Sequence, residues 1–103
     1  MNDEPVLLEA LMAMNAASME LADLDGRSLM LVRLAGLAAV DAPVISYGMN
    51  LGAAADVGLT LEEVRSTLVA LAPIIGTPKV VSAAAKISEV LDFALAIEEF
   101  EGI

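Results

Sequence analysis

Ser46, Tyr47 and Asn50 are the residues of this chain whose types and spacing point most directly to chemistry. They stand at i, i+1 and i+4, so a helix through this stretch brings them to one side of its surface. They are also the polar groups in an otherwise apolar run from Ala42 to Ala55. Read functionally, they form the wall of a pocket for a small neutral or hydroxylated ligand, with Tyr47 as the proton donor. Read structurally, they are a hydrogen-bond set between helices or a wetted stripe. Arg33 is the one charge in a long apolar segment beyond its first turn. It pairs with a carboxylate such as Asp41 or Asp56, points to solvent, or, in the sharper reading, meets a carboxylate on a ligand. The neighbouring acids Asp23 with Asp25, Glu62 with Glu63, and Glu98 with Glu99 read as caps, first-turn charges on helix dipoles or solvated ends, not as acid–base pairs. No regularly spaced oxygen ligands suggest a hard-cation loop, so no metal and no cofactor is expected.

What the chain lacks narrows the chemistry further. It contains no Cys, which removes disulfides, thiol redox chemistry and thiolate metal sites. It contains no His, the commonest general base and metal ligand. Fifteen acidic side chains face five basic ones, for a formal net charge of −10. Such a surface repels phosphate backbones and anionic lipid, so neither nucleic acid nor a membrane surface is expected as a partner.

The elements that position these residues are helices. Asp3 and Pro5 open the first, which is expected to reach about Ala22 and to end in Asp23-Leu24-Asp25-Gly26. Asp25 is the expected cap of a second helix, about Arg27 to Val40. That helix is apolar on nearly every side, the pattern of a buried one. Asp41 is the expected cap of the third, with Pro43 in its first turn, running to Val57 before Gly58. Gly48 and Gly52, spaced i, i+4, invite the close approach of another backbone. Thr60-Leu61-Glu62-Glu63 reads as a capping box, after which Val64, Leu68 and Leu71 follow Leu61 at helical spacing. Pro73 and Ile75-Gly76-Thr77-Pro78 are expected to end that helix. Thr77 then caps a fifth, whose apolar stripe is Val80, Ala84, Ile87, Leu91 and Leu95. Strand signals are absent. The expectation is a single all-α domain over residues 1–103, a compact bundle of about five helices.

Apolar residues make up 58% of the chain, against roughly 45–50% in ordinary soluble domains. A domain this short buries only about two-thirds of its unfolded surface, so the surplus is expected in a subunit interface. The uncharged runs are too short and too broken by Pro, Gly, Asn or Ser for a span of roughly 18 apolar residues. Asp3 and Glu4 stand where a signal peptide carries positive charge. The reading is cytoplasmic and homo-oligomeric, with the methionines at 12, 14, 19, 30 and 49 as core or interface filler.

Three segments carry a resemblance to a known family. Leu24-Asp25-Gly26-Arg27 enters an apolar helix. Ala54-Ala55-Asp56-Val57-Gly58-Leu59-Thr60-Leu61-Glu62-Glu63-Val64 joins a helix end to a capping box. Gly76-Thr77-Pro78-Lys79-Val80-Val81-Ser82-Ala83-Ala84 starts the last helix. Together they resemble the carboxymuconolactone decarboxylase family, which includes the alkylhydroperoxidase AhpD-like proteins. The resemblance implies an AhpD-like helical fold, and a homotrimer or hexamer as the assembly. It does not carry the activity over. Counting back from Gly58 puts the family's His on Asn50 and its two redox Cys on Ser46 and Pro43. Counting forward from Leu24 puts the Cys positions on Ala42 and Ile45 and the His on Met49. The proton-relay Glu falls on Met30 or Leu31, so neither register restores an active group. Two functions follow as expectations. One is a cofactor-free enzyme, a lyase or isomerase, or a binder, acting on a small lactone-like metabolite held by Ser46, Tyr47, Asn50 and Arg33. The other is a catalytically silent helical oligomer that keeps only the family's fold and interface.

Overall fold

The structure, a computed structural model, describes residues 4–101, with side chains as far as residue 92. Leu95 of the expected apolar stripe and the Glu98–Glu99 pair lie outside the described side chains. The elements run α1 (Glu4–Leu21), α2 (Gly26–Ala39), α3 (Val44–Asp56), α4 (Leu61–Ile75) and α5 (Thr77–Glu101). No described residue is in a strand. No described helix is long and apolar enough to cross a membrane.

Local chemistry sets most boundaries. The Asp25 carboxylate accepts from the Ser28 amide at 2.8 Å and from the Ser28 hydroxyl at 2.9 Å, closing the start of α2. Thr60 and Glu63 form the full capping box at α4: Thr60 Oγ1 accepts the Glu63 amide and Glu63 Oε1 accepts the Thr60 amide, both at 3.1 Å. Gly58 and Gly76 hold φ at +79° and +89°, a region where a Cβ is strained, and so turn the chain after α3 and α4.

Two boundaries differ from expectation. One is the start of α5, where Thr77 is the first helical residue and not the cap: the Val80 amide donates to the Gly76 carbonyl at 3.3 Å. The other is the start of α3. Asp41 does not cap α3; Pro43 occupies the cap position. Asp41 takes φ +52°, a conformation Asp tolerates better than most residues, and turns its carboxylate away to α5. There it meets an ammonium group, a stronger partner than a backbone amide. Pro73 does not stop α4, which continues to Ile75. In the last turn its ring removes a single backbone hydrogen bond, and the helix ends in the expected Ile75-Gly76 turn.

Helices α2 and α5 pack on each other, and each packs on both α3 and α4; α1 takes part in none of these pairings. One core cluster joins Leu34 and Ala38 of α2, Ala42, Tyr47 of α3, Val64 and Leu68 of α4, and Ala83 and Ile87 of α5. A second, smaller one holds Leu29, Met30 and Ala54. The inner face of α5 therefore runs through Ala83, while Ala84 is exposed; two adjacent alanines could not say which of them faced inward. Nor is α2 buried all round: Val32 is 57% exposed, and Val40, its C-cap, 73%. Across α1 no residue is buried.

Candidate functional site

Position along α3 decides what each candidate side chain meets. Tyr47 and Ala54, seven residues apart, lie on its inner face, and both are buried. The Tyr47 ring fills the middle of the main core cluster and is 0% exposed. Its hydroxyl has no hydrogen-bond partner. Burial, reinforced by the negative charge of Asp41, pushes the phenol's pKa above its ordinary value. The group is thus a neutral phenol sealed inside the bundle, a weaker acid than a free tyrosine.

Ser46 and Asn50 flank it in half-buried positions. The Asn50 amide folds onto its own helix, with Nδ2 donating to the Ser46 carbonyl at 2.8 Å. That leaves its Oδ1 as the group able to receive a donor. Arg33 points elsewhere. Its guanidinium donates to the Asn15 side chain, to the Asn15 carbonyl at 3.4 Å and to Ser18 Oγ at 3.2 Å, all on α1. It pairs with neither Asp41 nor Asp56. The structure therefore brings Ser46 and Asn50 together and places Tyr47 beneath them, while Arg33 fastens α1 to α2.

The partner of Asp41 is Lys86, 45 residues away. Lys86 Nζ donates to Asp41 Oδ1 at 2.9 Å and to the Ala42 carbonyl at 2.8 Å, and Ser82 Oγ donates to Asp41 Oδ1 at 2.6 Å. The Ser82 hydroxyl, and after it Lys86, hold the Asp41 carboxyl below its ordinary range. This cluster locks the α2–α3 turn onto α5. Residue order offers Arg33 as a cation for Asp41, because nothing in it points across 45 residues to Lys86. A second such lock joins Arg27 to Glu63 and, at 2.8 Å, to the Gly58 carbonyl.

A groove of about 500 Å³ lies on the outer side of α3, lined by Val44, Ile45, Gly48, Met49, Glu89 and Val90. None of the four candidate residues lines it. Gly48 and Gly52 face open space, with nothing within 4 Å of a Cβ placed on either. The close backbone approach expected there does not occur within the chain. Among the described residues no group of three or more acidic side chains could hold a metal ion. Residues 5–90 match the carboxymuconolactone decarboxylase family. Neither a curated protein nor a solved structure gives a match.

Proposed function

Because the chain belongs to the carboxymuconolactone decarboxylase family yet contains neither cysteine nor histidine, we propose that it works as a homo-oligomeric helical module, a trimer or hexamer, without redox chemistry of its own. A Cys-dependent peroxide cycle needs a thiolate to form the sulfenic acid and a second thiol to resolve it. The positions that the resemblance assigns to that chemistry hold Pro43, Ser46 and Asn50, and the acid position falls on Met30, buried against Leu29 and Ala54, or on Leu31.

The observation that carries the oligomer is apolar surface left open on described residues. Across α1 no residue is buried, and Leu8, Leu11 and Met14 there, with Ile45 and Met49 on α3, are half or more exposed. Covering such side chains with a partner contributes about 25 cal/mol per Å² removed from water. Light scattering coupled to size exclusion tests this. A mass three or six times 10.6 kDa at micromolar concentration is expected, and a monomer mass overturns it.

One observation favours the second reading, a binder or cofactor-free lyase or isomerase for a small organic, lactone-like molecule. The Tyr47 hydroxyl is buried without a partner, and orphaned buried polar groups are rare enough to ask for a reason. A molecule reaching it past Ser46 and Asn50 would supply the missing bond. Native mass spectrometry of freshly purified protein, with a panel of lactones added, tests this. An adduct that disappears in Tyr47→Phe supports the reading; protein free of adduct with every compound overturns it.

A further inference from the structure

Two apolar surfaces of this chain are uncovered. The first is on α1. Leu7, Leu11 and Met14 recur at helical spacing, with Leu8 and Met12 beside them and Glu4 at the start of the same side, while Glu9 and Glu20 fall on the opposite side. Leu8 is 58% exposed, Leu11 50% and Met14 64%. The hydrogen bonds of Arg33 fasten only the C-terminal half of this helix, at Asn15 and Ser18. The second surface is the α3–α5 groove. Its walls Ile45 and Met49 are 69% and 72% exposed, and the open side of Gly48 leaves room on its floor.

We propose that α1 of one copy lies in the α3–α5 groove of a second copy, with its Leu7–Leu11–Met14 stripe set against Ile45, Met49 and Val90 and its backbone drawn close at Gly48. The proposal rests on the oligomer reading above and says which surfaces make the assembly.

Area argues for this occupant. A small molecule in an open groove leaves the apolar stripe of α1 in water, whereas an apolar helix covers the groove and its own stripe together. Charge argues the same way. Two chains of net charge −10 repel, and they meet most readily where charge is sparsest, here with Glu4 alone on the α1 stripe as far as Met14. From Val44 to Ala55, and again from Ala10 to Met19, there is no ionisable acid or base except the neutral Tyr47. Glu89 is the one charged residue lining the groove. Passed head to tail around a three-fold axis, one such contact per subunit closes a ring.

The cysteine-free chain makes the test direct. Leu11→Cys and Ile45→Cys, made singly with different tags and co-expressed, are treated with a short bismaleimide. A cross-linked pair carrying both tags is expected, at least five-fold above the cross-linked product from either variant expressed alone. A companion variant, Gly48→Leu, fills the groove without meeting anything inside its own chain, and leucine favours helix over glycine. Its circular dichroism should match that of the parent, while its subunit dissociation constant rises ten-fold or more. Leu11→Cys cross-linking to itself as well as to Ile45→Cys overturns the groove in favour of α1 pairing with α1. So does an unchanged dissociation constant in Gly48→Leu. In both cases the parent's oligomer mass persists, so the groove fails and the oligomer stands. A parent that is monomeric by light scattering overturns both.

Discussion

Helices α1 and α2 are written in nearly the same alphabet, yet the fold treats them in opposite ways. α1, 18 residues rich in Ala, Leu and Met, buries none of them. α2, 14 residues of similar character, buries Leu29, Met30, Leu34 and Ala38. Hydropathy does not separate the two, but connectivity does. α2 lies between α4 and α5 with α3 alongside, so its inner stripe meets three neighbours. The C-terminal half of α1 is fastened to the body through hydrogen bonds from Arg33 to Asn15 and Ser18. An apolar side chain contributes to stability only when something covers it, at about 25 cal/mol per Å² removed from water. In α2 that cover comes from the same chain, and in α1 it has to come from elsewhere.

The largest break in this contrast comes from comparing one residue in each region. Tyr47→Ala should cost about 3–5 kcal/mol, because a fully enclosed ring leaves a cavity, against a total stability of roughly 5–15 kcal/mol. Leu11→Ala, measured by urea denaturation at dilutions where the chain is monomeric, should cost less than about 0.5 kcal/mol. Comparable losses for the two would mean that α1 is already packed within its own chain.

A smaller effect is expected at the start of α4. Thr60→Ala removes the side-chain cap and half of the capping box and should cost about 1 kcal/mol, read as a lower urea midpoint at unchanged slope. No change would mean that packing of Val64 and Leu68 alone holds that helix end.

Tyr47→Phe sharpens the comparison from the opposite direction. Deleting an unpaired buried hydroxyl while keeping the ring should stabilise the body by about 1 kcal/mol. A loss instead would mean that the hydroxyl has a partner in solution, a water or a ligand, which the second functional reading requires.

The pH response is the gentlest of the four. Glu63 is held below its ordinary value first by Arg27 and then by the Thr60 amide, Asp25 by the Ser28 amide and hydroxyl, and Asp41 by Ser82 and Lys86. A carboxyl whose folded pKa is lowered contributes stability that is whole above its unfolded value, near 4. That stability is lost as pH falls through the lowered folded value. The melting temperature should therefore be flat from pH 7 to about 5 and fall progressively below pH 4. Glu63→Gln should flatten part of that fall. All three groups sit in the body. An acid transition unchanged in Glu63→Gln would remove the Arg27 lock from the account.

Much of this was legible in the residue order because its causes are local. A capping box acts over four residues, so Thr60 and Glu63 announced α4, and Asp25 announced α2. Gly58 and Gly76 marked the turns because a positive φ is a property of one residue. The absence of Cys and His settled the loss of thiol chemistry before any geometry was known. Only the tertiary structure could decide which chemically similar residues face one another across long separations. It paired Asp41 with Lys86 in place of Arg33, turned Ala83 inward and left Ala84 out. It also enclosed the Tyr47 ring while Ser46 and Asn50, its neighbours on α3, stayed half-exposed. Periodicity ranks the faces of a helix by apolar content, and in a chain this rich in Ala, Leu and Val that ranking is nearly flat. Which face is covered then follows from where the other helices lie.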